Sequence, residues 1–248
     1  MSRSADPWTL PPGVVRPLQA GPHLRVALPK AETGPDPVRR VRRIGLLGGS
    51  FNPAHEGHLH VSQEALKRLR LDGVWWLVSP QNPLKTRVGM ASFADRLAGA
   101  RDLLRGHPRI AASGIEARLG TRYTVDTLDR LVTRTGCRFV WLIGADNLAQ
   151  LPRWRRWRKL FAECAIAVFD REPYSYTALR GRAAVAFAEA RVDGDDAADL
   201  ADRPLPAWTF LRVARHPASS TAIRAAKAAS ETRAAGAAGG TTAMEQAP

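Results

Sequence analysis

Short apolar runs recur through the middle of the chain, separated by stretches of helical periodicity. Segments 44–47, 74–78, 110–112, 138–143, 165–169 and 208–213 are predominantly apolar on both alternating sets of positions, the pattern of strands covered on both faces. Segment 92–104 alternates apolar and polar residues at helical spacing and starts at Ser92, whose hydroxyl suits an N-cap. Segment 123–132 is also helical, and a further helical pattern starts near Gly57. Strands alternating with helices predict an α/β fold, a mostly parallel sheet with helices on both faces. In such sheets ligands bind beyond the carboxyl ends of the strands. The loops after 44–47 and after 138–143 are therefore predicted on one functional edge.

The ends of the chain read differently. Residues 1–40 hold many Pro and Gly without sustained periodicity, and are expected to form a disordered basic extension. The folded domain is expected over 41–227. Residues 228–248 are Ala/Gly/Thr-rich and expected to be a second disordered tail, its first part able to prolong a helix. Segment 171–207 is Ala- and Asp-rich and has no assigned role.

Composition narrows the compartment and the partners. No apolar run approaches the roughly 20 residues of a membrane helix, and the N-terminus lacks the apolar core of a secretory signal. Cys137 and Cys164 are too few for a disulfide framework, so reduced core cysteines and a cytoplasmic location are expected. Formal net charge is +14. It is spread along the chain rather than gathered in a groove, and no nucleic-acid motif accompanies the basic run at Arg39, Arg40, Arg42 and Arg43. Specific nucleic-acid binding is not expected, nor is a membrane partner.

The chemistry concentrates in residues 44–60, Ile-Gly-Leu-Leu-Gly-Gly-Ser-Phe-Asn-Pro-Ala-His-Glu-Gly-His-Leu-His. Gly48 and Gly49 read as a sharp turn that lets backbone approach a ligand. The helix start that follows offers unpaired N–H groups and a partial positive charge to an anion. Pro53 stiffens the loop. His55 and His58 lie about one turn apart and can donate to the same phosphates. The pattern is neither a P-loop nor a dinucleotide fingerprint. A zinc reading of His55, His58 and His60 needs further ligands, with Glu56 off the shared face, and no metal site is assigned.

Gly49-Ser50-Phe51-Asn52-Pro53-Ala54-His55-Glu56-Gly57-His58 resembles the Gly-x-Phe-x-Pro-x-His-x-Gly-His signature of the HxGH nucleotidyltransferase superfamily. Far downstream, Ser219-Ser220-Thr221-Ala222-Ile223-Arg224 is similar to its Ser-x-Thr-x-x-Arg element. Ser219 can cap a helix, and Arg224 can reach phosphate oxygens with a planar fork of donors. The resemblance implies a Rossmann-like nucleotidyltransferase fold.

Shorter matches resemble the bacterial nicotinate-nucleotide adenylyltransferases. They are Arg122-Tyr123-Thr124-Val125-Asp126-Thr127-Leu128, Gly144-Ala145-Asp146-Asn147-Leu148 and Leu151-Pro152-Arg153-Trp154. The structural alternatives are that Thr124 and Thr127 line a helix start, that Asp146 is an N-cap, and that Trp154 packs as core. Trp75, Trp76, Trp141 and Trp157 read as packing residues. The resemblance implies adenylyl transfer from ATP to nicotinate mononucleotide, with Mg²⁺ accompanying ATP. His55, His58 and Arg224 would be catalytic. ATP would contact Gly49, Ser50, Phe51, His55, His58, Lys85, Gly144, Asp146, Ser219, Thr221 and Arg224. The pyridine nucleotide would contact Asn82, Thr124 and Trp154. The alternatives are a phosphopantetheine adenylyltransferase or cytidylyltransferase of the same superfamily, and a basic nucleic-acid-binding protein.

Overall fold

The structure is a computed structural model that describes residues 14–15, 26–27, 41–80, 89–170, 175–214 and 216–239. Two-residue strands β1 (Val14–Val15) and β2 (Val26–Ala27) pair antiparallel. The main body then runs β3 (Arg43–Gly49), α1 (Glu56–Arg68), β4 (Gly73–Val78), α2 (Phe93–Leu103), β5 (Ile110–Ser113), α3 (Ile115–Leu119) and α4 (Thr124–Thr135). It continues with β6 (Arg138–Gly144), α5 (Ala145–Gln150), α6 (Trp157–Glu163) and β7 (Ala165–Phe169). Last come α7 (Ser175–Leu179), α8 (Arg182–Ala186), β8 (Arg191–Val192), β9 (Trp208–Leu211) and α9 (Ser220–Gly239).

Among the described residues, seven strands form one parallel sheet in the order β5-β4-β3-β6-β7-β9-β8. Alternation along each strand divides the core. Ile44, Leu46, Trp75, Leu77, Trp141 and Ile143 face α3, α4, α5 and α6. Leu47, Val74, Trp76, Val78, Val140 and Leu142 face α1, α2 and the 3-10 turn Ala197–Asp202. Burying apolar residues on both faces selects a parallel sheet, because neither face is left to water. This is the Rossmann-like α/β fold that the sequence predicts.

The six predicted strands all form, and Ser92 caps α2 by accepting from the Asp95 N–H at 3.1 Å. One expectation needs correction. Gly48 and Gly49 are the last residues of β3 rather than a turn. A Cβ on Gly48 would lie 2.8 Å from the Trp141 indole, so this glycine makes room for packing. The first part of the 228–248 segment prolongs α9 as far as Gly239, in keeping with the high helix propensity of its Ala-rich sequence.

Segment 175–207 supplies β8, the edge strand that pairs with β9. Phe187 stacks on Phe161 of α6 with centroids 3.9 Å apart, and its carbonyl accepts from Trp208 Nε1 at 2.7 Å. Neither cysteine is in a disulfide, and burial pushes the Cys164 thiol up to about 12. Among the described residues no helix is long and apolar enough to cross a membrane.

The chain order places a switch point in the sheet. β3, β4 and β5 progress one way, and β6 then returns to the other side of β3. The carboxyl ends of β3 and β6 therefore diverge, leaving a crevice that α1 and α5 enter by their N-termini.

Candidate functional site

The loop between β3 and α1 reverses direction at Phe51, not at a glycine. Phe51 holds a left-handed backbone, φ 47°, and is 2 % exposed. Its ring stacks on Trp76 at 5.0 Å and contacts the His58 ring at 4.8 Å. Trp76 Nε1 donates to Ser62 Oγ at 2.7 Å, and Ser62 Oγ donates in turn to the His58 carbonyl at 2.8 Å. A left-handed non-glycine residue costs energy that this aromatic seat offsets. His58 thus rests on a rigid aromatic floor.

His55 and His58 form a capping box without Ser or Glu. His55 is the N-cap of α1, and its Nδ1 accepts from the Gly57 N–H at 3.1 Å. His58 Nδ1 accepts from the His55 N–H at 3.2 Å. The ring centroids are 3.8 Å apart. Because both Nδ1 atoms accept backbone protons, each ring carries its own proton on Nε2. The helix therefore fixes both tautomers and makes both Nε2 atoms donors, the polarity an anion needs. Gly57 gives room between them: a Cβ there would lie 3.0 Å from the His55 ring and 3.1 Å from the Ala218 carbonyl, tight contacts that neighbours would have to relieve.

That Ala218 carbonyl introduces the downstream element. Ser219 Oγ accepts from the Ala222 N–H at 3.1 Å, so Ser219 caps α9. Ser220 Oγ donates to the Pro53 carbonyl at 3.0 Å, and Arg224 Nη1 donates to the Asn52 carbonyl at 2.6 Å. Arg224 Nη2 is 3.5 Å from Thr221 Oγ1. Two motifs more than 160 positions apart in sequence meet across one loop. The N-termini of α1 and α9 converge there, adding two partial positive charges to the His and Arg donors.

The other expected residues among those described lie toward the same sheet edge. Gly49 ends β3 and Ser50 follows it, and Gly144 is the N-cap of α5. Asp146 sits half-buried in the first turn of α5 rather than at its cap. Thr124 opens α4 behind the N-cap Tyr123. Trp154 closes a 3-10 turn and lies half-buried against the core. The segments bearing Thr124 and Trp154 are joined. Arg155 lies over the Tyr123 ring at 4.9 Å, and Arg156 pairs with Asp126. Trp75, Trp76, Trp141 and Trp157 are buried packing residues. His60 turns aside to the Ala214 carbonyl, with His60 Nε2 at 2.7 Å. Asn82 and Lys85 lie outside the described residues.

Two residues that the sequence reading passed over support this edge. Arg96, 4 % exposed, donates only to backbone carbonyls in its described bonds: Ser50 at 2.6 Å, Ser79 at 2.8 Å, and Pro80 and Ala91 at 3.1 Å. Burial lowers its pKa from the ordinary arginine range. Glu116 is buried beneath the end of β4, bonded to the Ser79 and Thr127 side chains, and burial pushes its carboxyl up to about 7. Thr127 also shares a 2.8 Å hydroxyl bond with Thr121. Nothing local marks Arg96 or Glu116, since each looks like an ordinary helix-surface charge until the neighbouring loops close over it.

Glu116 makes stability pH-dependent. In the unfolded chain it ionises near 4.5, whereas in the fold it holds its proton to about 7. Between those values the unfolded state is the one that loses the proton, so stability falls as pH rises through that window. Glu116→Gln keeps the hydrogen bonds and removes the titration. The variant's stability relative to the parent should therefore climb from pH 4.5 to pH 7 and level off above. Paired urea titrations across pH check this, and a constant difference would refute it.

The cytidylyltransferase-like family model matches residues 46–226. A probable nicotinate-nucleotide adenylyltransferase of Methylorubrum extorquens (strain PA1) is 55 % identical over 183 residues, spanning 73 % of this chain and 98 % of that one. One from Parvibaculum lavamentivorans is also 55 % identical, over 73 % of this chain and 90 % of its own length. Among solved structures, the Plasmodium falciparum nicotinic acid mononucleotide adenylyltransferase complexed with NaAD has a TM-score of 0.54 at 16 % identity, covering 73 % of this chain and 81 % of that one. That last likeness concerns the fold alone.

Proposed function

From the premise that the chain belongs to the nicotinate-nucleotide adenylyltransferases of the cytidylyltransferase-like family, we propose how its own residues carry out the reaction. The enzyme transfers the adenylyl group of ATP to nicotinate mononucleotide, giving nicotinate adenine dinucleotide and diphosphate in NAD biosynthesis. The observation that carries our assignment of residues is the meeting of the His55–His58 capping box with the N-terminus of α9 across the Asn52–Pro53 carbonyls.

The nucleophile needs no base. A phosphate monoester has a second pKa near 6, so the mononucleotide is mostly dianionic at neutral pH. One of its oxygens attacks the α-phosphorus of ATP, the bond from that phosphorus to the bridging oxygen breaks, and diphosphate leaves. Catalysis then consists of aligning two anions and neutralising charge on the leaving group. His55 and His58 donate from Nε2, and Arg224 adds a permanent cation. Ser219 and Thr221 lie beside Arg224, and Lys85 supplies a further point charge. The backbone at Gly49, Ser50 and Phe51, with Gly144 and Asp146 opposite, lines the remainder of the ATP site. Asn82, Thr124 and Trp154 hold the pyridine nucleotide. Mg²⁺ enters as part of the MgATP substrate, held by phosphate oxygens and water. The imidazole and guanidinium donors suit phosphate oxygens rather than the metal. Our reading puts the reaction in the cytoplasm, the compartment in which thiols are kept reduced.

Diphosphate release from MgATP, with nicotinate or nicotinamide mononucleotide, tests the assignment. Release should require the mononucleotide and be faster with the nicotinate form. Turnover with neither would overturn it.

A further inference from the structure

We propose that Arg96 and Asn52 form a positioning brace that sets the backbone of the phosphate-facing loop, an inference that rests on the adenylyl-transfer reading above. Arg96 joins three chain segments through one side chain. Its Nη1 takes the Ser50 and Ser79 carbonyls, Nη2 takes Pro80, and Nε takes Ala91. Asn52 joins two of the same segments from the other side. Its Nδ2 donates to the Gly89 carbonyl at 3.1 Å, and its Oδ1 accepts from the Ala91 N–H at 3.1 Å.

The consequence lies in peptide geometry. In a trans peptide the C=O and the following N–H point in opposite directions. With the Ser50 carbonyl held by Arg96, the Phe51 N–H is turned away from α2. The Pro53 carbonyl held by Ser220 likewise fixes the Ala54 N–H. Arg96 and Ser220 thus hold the Ser50 and Pro53 carbonyls and leave the Phe51 and Ala54 N–H groups oriented for an anion, while Arg224 tethers the Asn52 carbonyl ahead of Pro53, which has no N–H. A guanidinium is needed for this. Its fork spans four acceptors in fixed directions, whereas an ammonium is a point charge with three rotatable donors. Arg96 does not touch the reacting atoms in this account. It acts through the loop.

The test uses the full chain with Arg96→Lys, Asn52→Ala and a control, Arg109→Lys. Arg109 also donates to a carbonyl, that of Leu71 at 2.5 Å, but at the amino end of β4. Parent turnover is measured first, so that failure of the adenylyl-transfer reading shows before any variant is compared. Expressed per folded molecule, kcat of Arg96→Lys should fall about 100-fold, the scale of a misplaced reacting geometry. KM for each substrate should stay within about threefold, and Asn52→Ala should lose about 10-fold in kcat. Arg109→Lys should keep the parent kcat. A brace of merely structural importance would lower the folded fraction and leave kcat per folded molecule unchanged. That outcome in Arg96→Lys overturns the proposal. If Arg96→Lys does not fold, an unchanged kcat in Asn52→Ala overturns it instead.

Discussion

His58→Ala should remain folded and lose about 1,000-fold in kcat/KM, the upper range for removing one preorganised donor to developing charge. The size follows from two losses at once. The Nε2 donor disappears, and so does the Nδ1 acceptor that holds the His55 N–H at 3.2 Å. His55 then keeps its bond to Gly57 but loses the reciprocal half of the box. The loss of the cap costs about 1 kcal/mol of stability. His58→Gln separates the two roles. Glutamine is a natural partner at this position of a capping box, so it should restore most of the stability. It cannot place a ring N–H over Phe51 and Trp76, so activity should stay at least about 100-fold down. Thermal unfolding and steady-state kinetics on both variants check this. Parent activity in His58→Gln would reduce the residue to a cap.

Arg224→Ala should lose about 100-fold in kcat/KM with a small change in stability, since the side chain is exposed and exposed polar contacts contribute little. Here too the residue acts twice. It tethers the Asn52 carbonyl and presents its remaining donors beside Thr221. Arg224→Lys keeps the charge but not the fork, and should recover only part of the loss. Inhibition by added diphosphate distinguishes the roles. If Arg224 neutralises the leaving group, diphosphate should inhibit Arg224→Ala more weakly than the parent. Unchanged inhibition and kcat/KM would confine Arg224 to tethering the loop.

Much of the site was legible because it depends on local pattern. The His-x-Gly-His spacing specifies a helix start, and the structure supplies the reason for each position: two rings as caps and a glycine beneath the first ring. Strands 44–47 and 138–143 were legible as apolar runs, and their carboxyl ends carry the expected loops. The turn was misassigned to Gly48 and Gly49 because glycine usually marks one. The left-handed residue is Phe51, tolerated because Trp76 and His58 hold its ring. That support comes from residues outside the loop, so no local signal announces it.

The sequence by itself determined the α/β class, the two faces of the sheet and the histidine pair, all consequences of spacing along one segment. Only the tertiary structure decided that Arg224 and Ser220 reach the Asn52–Pro53 loop, that Arg96 gathers four carbonyls, and that Glu116 lies beneath Ser79. Each of those depends on which backbone carbonyls and hydroxyls arrive at one point. A backbone carbonyl has the same chemistry at every residue, so its role is set by the fold and leaves no mark in the side-chain pattern.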